Sequence, residues 1–154
     1  MTHALLFLHL VSAFVFVAGT VAAGILQLTA LGRERPSEIA LLLRTARVAV
    51  LFTVTGALGT LAFGLALVGH LDIGFGKAWV SASIALWVVA MAFGGAGGRT
   101  ARHARYLAER LAREGDQPNQ ELRALVAHRP SLLLSYAATA VIVAILVLMV
   151  WRPS

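Results

Sequence analysis

The stretch SLLLSYAATAVIVAILVLMVW, residues 131–151, decides the class of protein. It contains no Asp, Glu, Lys or Arg, and it lies between Arg129-Pro130 and Arg152. About 20 apolar residues are enough for a helix to cross the hydrocarbon layer of a bilayer. The stretch therefore predicts a membrane-spanning helix.

Three further charge-free runs, at 4–31, 48–71 and 78–98, meet the same length requirement. The 154 residues are 59% hydrophobic and only 13% charged, whereas a soluble domain is about half apolar and a quarter charged. We predict an all-α, four-helix transmembrane bundle in one domain, 1–154. The predicted helices are about 4–31, 37–71, 77–114 and 120–151.

The first run is predicted to be a retained helix. It begins Met-Thr-His without a basic segment, and it is longer than the apolar part of a signal peptide. The chain has no cysteine, which excludes disulfides and thiolate metal sites.

Basic residues are concentrated in the two segments 32–47 and 99–130, which define the Arg-rich side of the membrane. These are Arg33, Arg35, Arg44, Arg47, Arg99, Arg102, Arg105, Arg110, Arg113, Arg123 and Arg129. Only Lys77 and Arg152 belong to the other side, with the aromatic residues Phe75, Trp79 and Trp151. By the positive-inside rule, the Arg-rich side is predicted to be cytoplasmic and both termini outside, in a bacterial inner membrane. Topology and anionic lipid therefore explain the arginines, and no nucleic-acid partner is expected.

The segment 99–130 is predicted to continue the third helix beyond the membrane, with an Arg105–Glu109 pair one turn apart. Asn119 is expected to cap a short following helix, and Pro130 to end or kink it. We interpret this cytoplasmic extension first as a solvated amphipathic helix. The alternative is a docking surface for a partner.

Small residues recur at helical spacing in the second and third runs. Gly56, Thr60 and Gly64 share one face, and Gly94 and Gly98 have the spacing of a close helix contact. We expect these faces to pack inside the bundle, and a dimer face is the alternative.

Two histidines are candidates for binding a haem or a metal. Helix geometry places His9 about 12–14 Å and His70 about 16 Å from the membrane centre, both toward the outside. His3 and Asp72 belong to the same layer and are further metal candidates, because imidazole and carboxylate are common metal ligands. No pair of ligands shares one helix face, so haem or copper is the alternative and not the favoured reading.

The runs contain no ionisable group near the middle of the membrane, and no Ser-His-Asp arrangement is evident. We therefore expect no catalysis by this chain alone. The favoured function is a structural, accessory or assembly subunit that acts through membrane partners, in a homo-oligomer or a larger complex. The alternatives are a histidine-ligated redox protein and a binder of lipid or another hydrophobic ligand.

Several pieces of the chain are similar to a known bacterial family. They are LHLVSAFVFVAG at the start, TGALGTLAFGLAL and AWVSASIALWVVA in the next two runs, and LMVWRP at the end. Over nearly its whole length the chain resembles the predicted integral membrane protein family, a domain of unknown function. This resemblance implies four helices and a membrane location, and no activity.

The first run also resembles the opening of two other groups, the copper-resistance membrane proteins and the four-helix haem-binding protoporphyrinogen oxidases. His9 corresponds to the early histidine of those groups. The chain then departs from the oxidases, because it reads GILQLTALGR where they have an aromatic-Gly stretch and an Arg-Leu pair.

Overall fold

The computed structural model describes residues 2–72 and 76–151, and the ordered elements within them are helices. They are α1 (Thr2–Leu31), α2 (Pro36–His70), α3 (Ala78–Leu111), α4 (Gln120–Val126) and α5 (Arg129–Trp151). Four segments are long and apolar enough to cross a membrane: α1, α2, α3, and α4 with α5. The predicted all-α, four-span architecture is confirmed. Phe75 and Arg152 lie outside the described residues.

The helix ends on the Arg-rich side differ from the predicted ones by a few residues. α3 ends at Leu111, and the chain turns at Gly115, whose φ of 123° favours glycine. The side chain of Asn119 caps α4 as predicted, accepting a hydrogen bond from the Leu122 N–H at 3.1 Å. α4 and α5 are separate helices, and Pro130 lies in the first turn of α5, where it removes no helical hydrogen bond.

The four spans form two closely packed pairs, α1 with α2 and α3 with α5, and contacts between α2 and α3 join the pairs. A small central core takes one buried residue from each span: Phe16, Ala57, Ala90 and Ile142. Many large apolar side chains are exposed on the outer surface of the bundle. That surface is the one that lipid covers.

The closest helix contact is between α1 and α2, and it depends on glycine. A Cβ at Gly56 would clash with the backbone N of Phe16 and lie 2.7 Å from its Cα. Gly56, Thr60 and Gly64 therefore pack inside the bundle, as predicted. Gly94 and Gly98 differ from the prediction, because α3 presents them to open space.

A second core lies on the Arg-rich side, beneath the membrane spans. It joins the ends of α1 and α3 to the start of α2 and to α4, and its buried members are Ala30, Ile39, Leu43, Ala104, Ala108, Leu122 and Val126. We call this part of the molecule the Arg-side platform. Ile39, Ala108 and Leu122 are fully buried in it, so the predicted cytoplasmic extension is a packed unit and not a single surface helix.

Candidate functional site

His9 lies inside the α1–α2 contact and is buried. Its Nδ1 is 2.9 Å from the backbone carbonyl oxygen of Thr60. A carbonyl oxygen only accepts hydrogen bonds, so Nδ1 carries the proton and donates it. The ring is then the tautomer whose Nε2 has a free lone pair.

The sequence of α2 makes room for this imidazole. A Cβ at Gly64 would lie 3.0 Å from Cε1 and 3.2 Å from Nδ1 of His9, so any larger residue would force the ring to shift by a few tenths of an ångström. The hydroxyl of Thr60 donates to the Gly56 carbonyl at 2.8 Å, so it does not compete for the histidine. The face formed by these three residues of α2 therefore fixes the position and the tautomer of His9.

The other predicted ligands lie at the ends of the helices. His70 is exposed in the last turn of α2, six residues, or about 9 Å, beyond Gly64. His3 is exposed near the start of α1, and Asp72 is exposed just after α2 with φ of 49°. These three share one end of the α1–α2 pair, whereas His9 lies deeper.

Within residues 2–72 and 76–151, no group of three or more His, Asp or Glu side chains could hold a metal ion. The structure brings His9 to Thr60 and leaves His70 at a different level of the bundle. The hypothesis that His9 and His70 bind a haem or a metal stays a prediction.

Polar side chains within the bundle bond to the chain itself. The Ser131 hydroxyl donates to the Gly97 carbonyl at 2.7 Å, and the Trp87 indole donates to the Ala57 carbonyl at 3.3 Å. Across the described residues, no buried side-chain nitrogen or oxygen lacks a hydrogen-bond partner. The bundle interior therefore leaves no unsatisfied polar group waiting for a substrate.

Sequence reasoning missed a contact that fastens the Arg-side platform. Asp116, in the turn between α3 and α4, accepts hydrogen bonds from both the N–H and the hydroxyl of Ser37, each at 2.7 Å. The N-cap residue of α2, Arg35, makes no capping bond with its side chain, so Asp116 caps this helix from 79 residues away. Hydrogen bonds from the Ser37 hydroxyl and then its N–H, with the charge of Arg35 nearby, hold the pKa of Asp116 below its usual value.

The arginines of the platform fall into three groups. Arg105 is buried, pairs with Glu109 at 3.4 Å as predicted, and has its guanidinium 4.6 Å from the centre of the Tyr106 ring. Two looser pairs, Arg33–Glu38 and Arg123–Glu34, are exposed. The remaining exposed arginines form no ion pair with any described residue: Arg35, Arg44, Arg47, Arg99, Arg102, Arg110, Arg113 and Arg129.

The chain as a whole matches one known family. The sequence profile of a family described as predicted integral membrane protein (DUF2269) matches residues 3–153. The chain belongs to this family. The match includes every helix of the structure, and it confirms the resemblance that the sequence motifs carry. No curated protein and no solved structure matches the chain.

In this DUF2269 protein, the interior of the bundle and the Arg-side platform therefore offer different chemical groups. The bundle interior holds one buried imidazole, whose Nδ1 is bonded to the Thr60 carbonyl, and no buried side-chain nitrogen or oxygen of the described residues lacks a partner. The platform offers exposed guanidinium groups that have no anionic partner within the described chain. Guanidinium is a group that binds phosphate and carboxylate well.

Proposed function

We propose that this protein is a structural or accessory subunit of a membrane assembly and acts through partner molecules. One observation carries the proposal. The buried polar side chains of the described residues are bonded within the chain, while most arginines of the platform, unlike Arg33, Arg105 and Arg123, are exposed and form no ion pair with a described residue.

The packing of the platform supports this role. Its core is fully buried at Ile39 and Leu122, and the bonds from Ser37 to Asp116 fasten the turn before α4 to the start of α2. A packed platform fixes the backbone positions from which its arginines extend, so less of the chain has to be ordered when a partner binds. Arg110 and Arg113 lie near the end of α3, at the edge of the platform.

The proposal includes an orientation. The Arg-rich side faces the cytoplasm of a bacterial cell, both termini face outward, and the membrane is the cytoplasmic one. The distribution of Lys and Arg supports this orientation through the positive-inside rule.

Purification in a mild detergent tests the proposed role. We expect the wild-type chain to elute as a homo-oligomer or with a stoichiometric partner, and the double variant Arg110→Gln, Arg113→Gln to lose that association. The double variant Arg44→Gln, Arg47→Gln is the matched control, because it removes the same charge at the membrane edge of α2, where we expect contact with lipid headgroups and not with the partner. A chain that is strictly monomeric and without partner would contradict the proposal.

A second candidate function rests on His9 alone. Histidines that bind a metal or haem iron through Nε2 commonly donate their Nδ1 hydrogen to a backbone carbonyl, as His9 does to Thr60. The chemistry would then be ligation of haem or copper, with the second ligand supplied by His70, by another copy of the chain or by a partner. An absorption spectrum and elemental analysis of the purified protein test it. A colourless, metal-free protein that takes up neither haem nor copper would exclude this candidate.

A further inference from the structure

An apolar groove runs between α1 and α2 on the outside of the bundle. Its volume is about 360 Å³, and its walls include Val15, Ala22 and Leu26 of α1 and Thr45 and Phe52 of α2. Ala22 and Phe52 are exposed, so the groove opens to the lipid. Gly19 and Ala49, where α1 and α2 touch, are also among its lining residues.

The groove lies in one half of the membrane. From Val15 to Leu26 it follows about 16 Å of helix, which is half of the roughly 30 Å hydrocarbon layer. Its Leu26 and Thr45 end is the Arg-rich end, because α1 ends there at Leu31 and α2 begins there at Pro36. Its Val15 and Phe52 end reaches the middle of the membrane. The groove therefore has the direction and length of one acyl chain of one leaflet.

A cation, Arg44, immediately precedes Thr45, the first groove residue of α2. Arg44 is four residues before the groove residue Val48, so the two lie on the same side of α2. Arg44 is exposed and forms no ion pair with the described residues. Arg47 is also exposed and without an ion pair, but it projects about 100° around the helix from Val48.

We propose that this groove binds one acyl chain of an anionic phospholipid, whose phosphate is held by Arg44. The apolar walls match the chain, the length matches one leaflet, and the unpaired guanidinium matches the negative headgroup. The groove itself lies apart from His9 and from the platform core, and only Arg44 is shared with the platform surface, so the lipid site does not require a protein partner.

Native mass spectrometry of the delipidated protein tests the proposal, with phosphatidylglycerol and phosphatidylcholine of identical acyl chains as probes. The wild type is expected to bind one phosphatidylglycerol in preference to phosphatidylcholine. Arg44→Gln is expected to reduce that preference about fivefold, the effect of one arginine near an anionic headgroup, while Arg47→Gln reduces it less. Equal affinity of the wild type for the two lipids would overturn the proposal without the use of any variant.

A second experiment fills the groove with a larger side chain. Ala22→Phe places a ring in the groove and is expected to abolish the single tight lipid site. Ala92→Phe is the matched control, since Ala92 is an exposed alanine at a similar depth of α3 and lies outside the groove. Identical lipid binding by the two variants would overturn the proposal. So would loss of an oligomer in Ala22→Phe without loss of lipid, because the groove would then hold a second copy of the chain.

Discussion

The contact between α1 and α2 can be tested at a single atom, by the substitution Gly56→Ala. The added Cβ would clash with the backbone N of Phe16 and lie 2.7 Å from its Cα and 2.9 Å from the carbonyl oxygen of Ser12. These neighbours are backbone atoms, so no change of rotamer relieves the clash. The two helices must move apart, and the His9 hydrogen bond to Thr60 lies one turn away.

Two opposing effects set the size of the expected change in the free energy of unfolding. Overpacking of a well-packed contact costs about 1–3 kcal/mol, and a clash with backbone belongs at the upper end. Replacing glycine by alanine inside a helix returns about 1 kcal/mol. We therefore expect Gly56→Ala to lower the free energy of unfolding by about 2 kcal/mol.

The matched control is Gly24→Ala on the same helix pair. A Cβ at Gly24 meets no atom within 4 Å, so this variant is expected to be neutral or up to about 1 kcal/mol more stable. The assay is helix content by circular dichroism as SDS is added to the protein in mixed micelles. If Gly56→Ala unfolds at the same SDS fraction as Gly24→Ala, the close α1–α2 contact is refuted.

Three further predictions concern the platform, the orientation and the histidine. Because the pKa of Asp116 is lowered, its bonds to Ser37 stabilise the fold fully above the ordinary carboxyl pKa of 3.8, and this stabilisation is lost as the pH falls through the lowered pKa. In acid titrations of the free energy of unfolding, Asp116→Asn should abolish this pH dependence. In the cysteine-free chain, Gly76→Cys should react with a membrane-impermeant thiol reagent on intact cells, and Gln117→Cys only after permeabilisation; the reverse pattern would invert the proposed orientation. His9→Leu keeps the bulk of the side chain but removes its hydrogen bond to Thr60, so the free energy of unfolding in SDS should fall by about 1 kcal/mol. An unchanged midpoint of the SDS titration would show that the bond contributes nothing to stability.

The spans and their caps could be predicted from sequence because they depend on local properties. A charge-free run of sufficient length defines a membrane helix wherever it occurs. The Asn119 cap and the Arg105–Glu109 pair join residues three or four positions apart, so their spacing alone predicts them. The face of Gly56 and Gly64 could be recognised for the same reason.

The remaining contacts depend on how distant helices are aligned. His9 meets Thr60 across 51 positions, and Asp116 meets Ser37 across 79. Depth estimates placed His9 and His70 in one layer, but the register of α1 against α2 is set by where glycines let the backbones touch. The exposure of Gly94 likewise depends on which helix stands beside α3, and glycine spacing does not specify that neighbour.

The mass of the intact protein, released from a mild detergent in native mass spectrometry, tests the proposed role most directly. The chain alone has a mass of 16.3 kDa. A role as a structural or accessory subunit predicts a larger particle, made of further copies or of a stoichiometric partner protein, without the mass of a haem or a metal ion. A single chain that carries a haem or copper would contradict this role and would instead support His9 as a ligand.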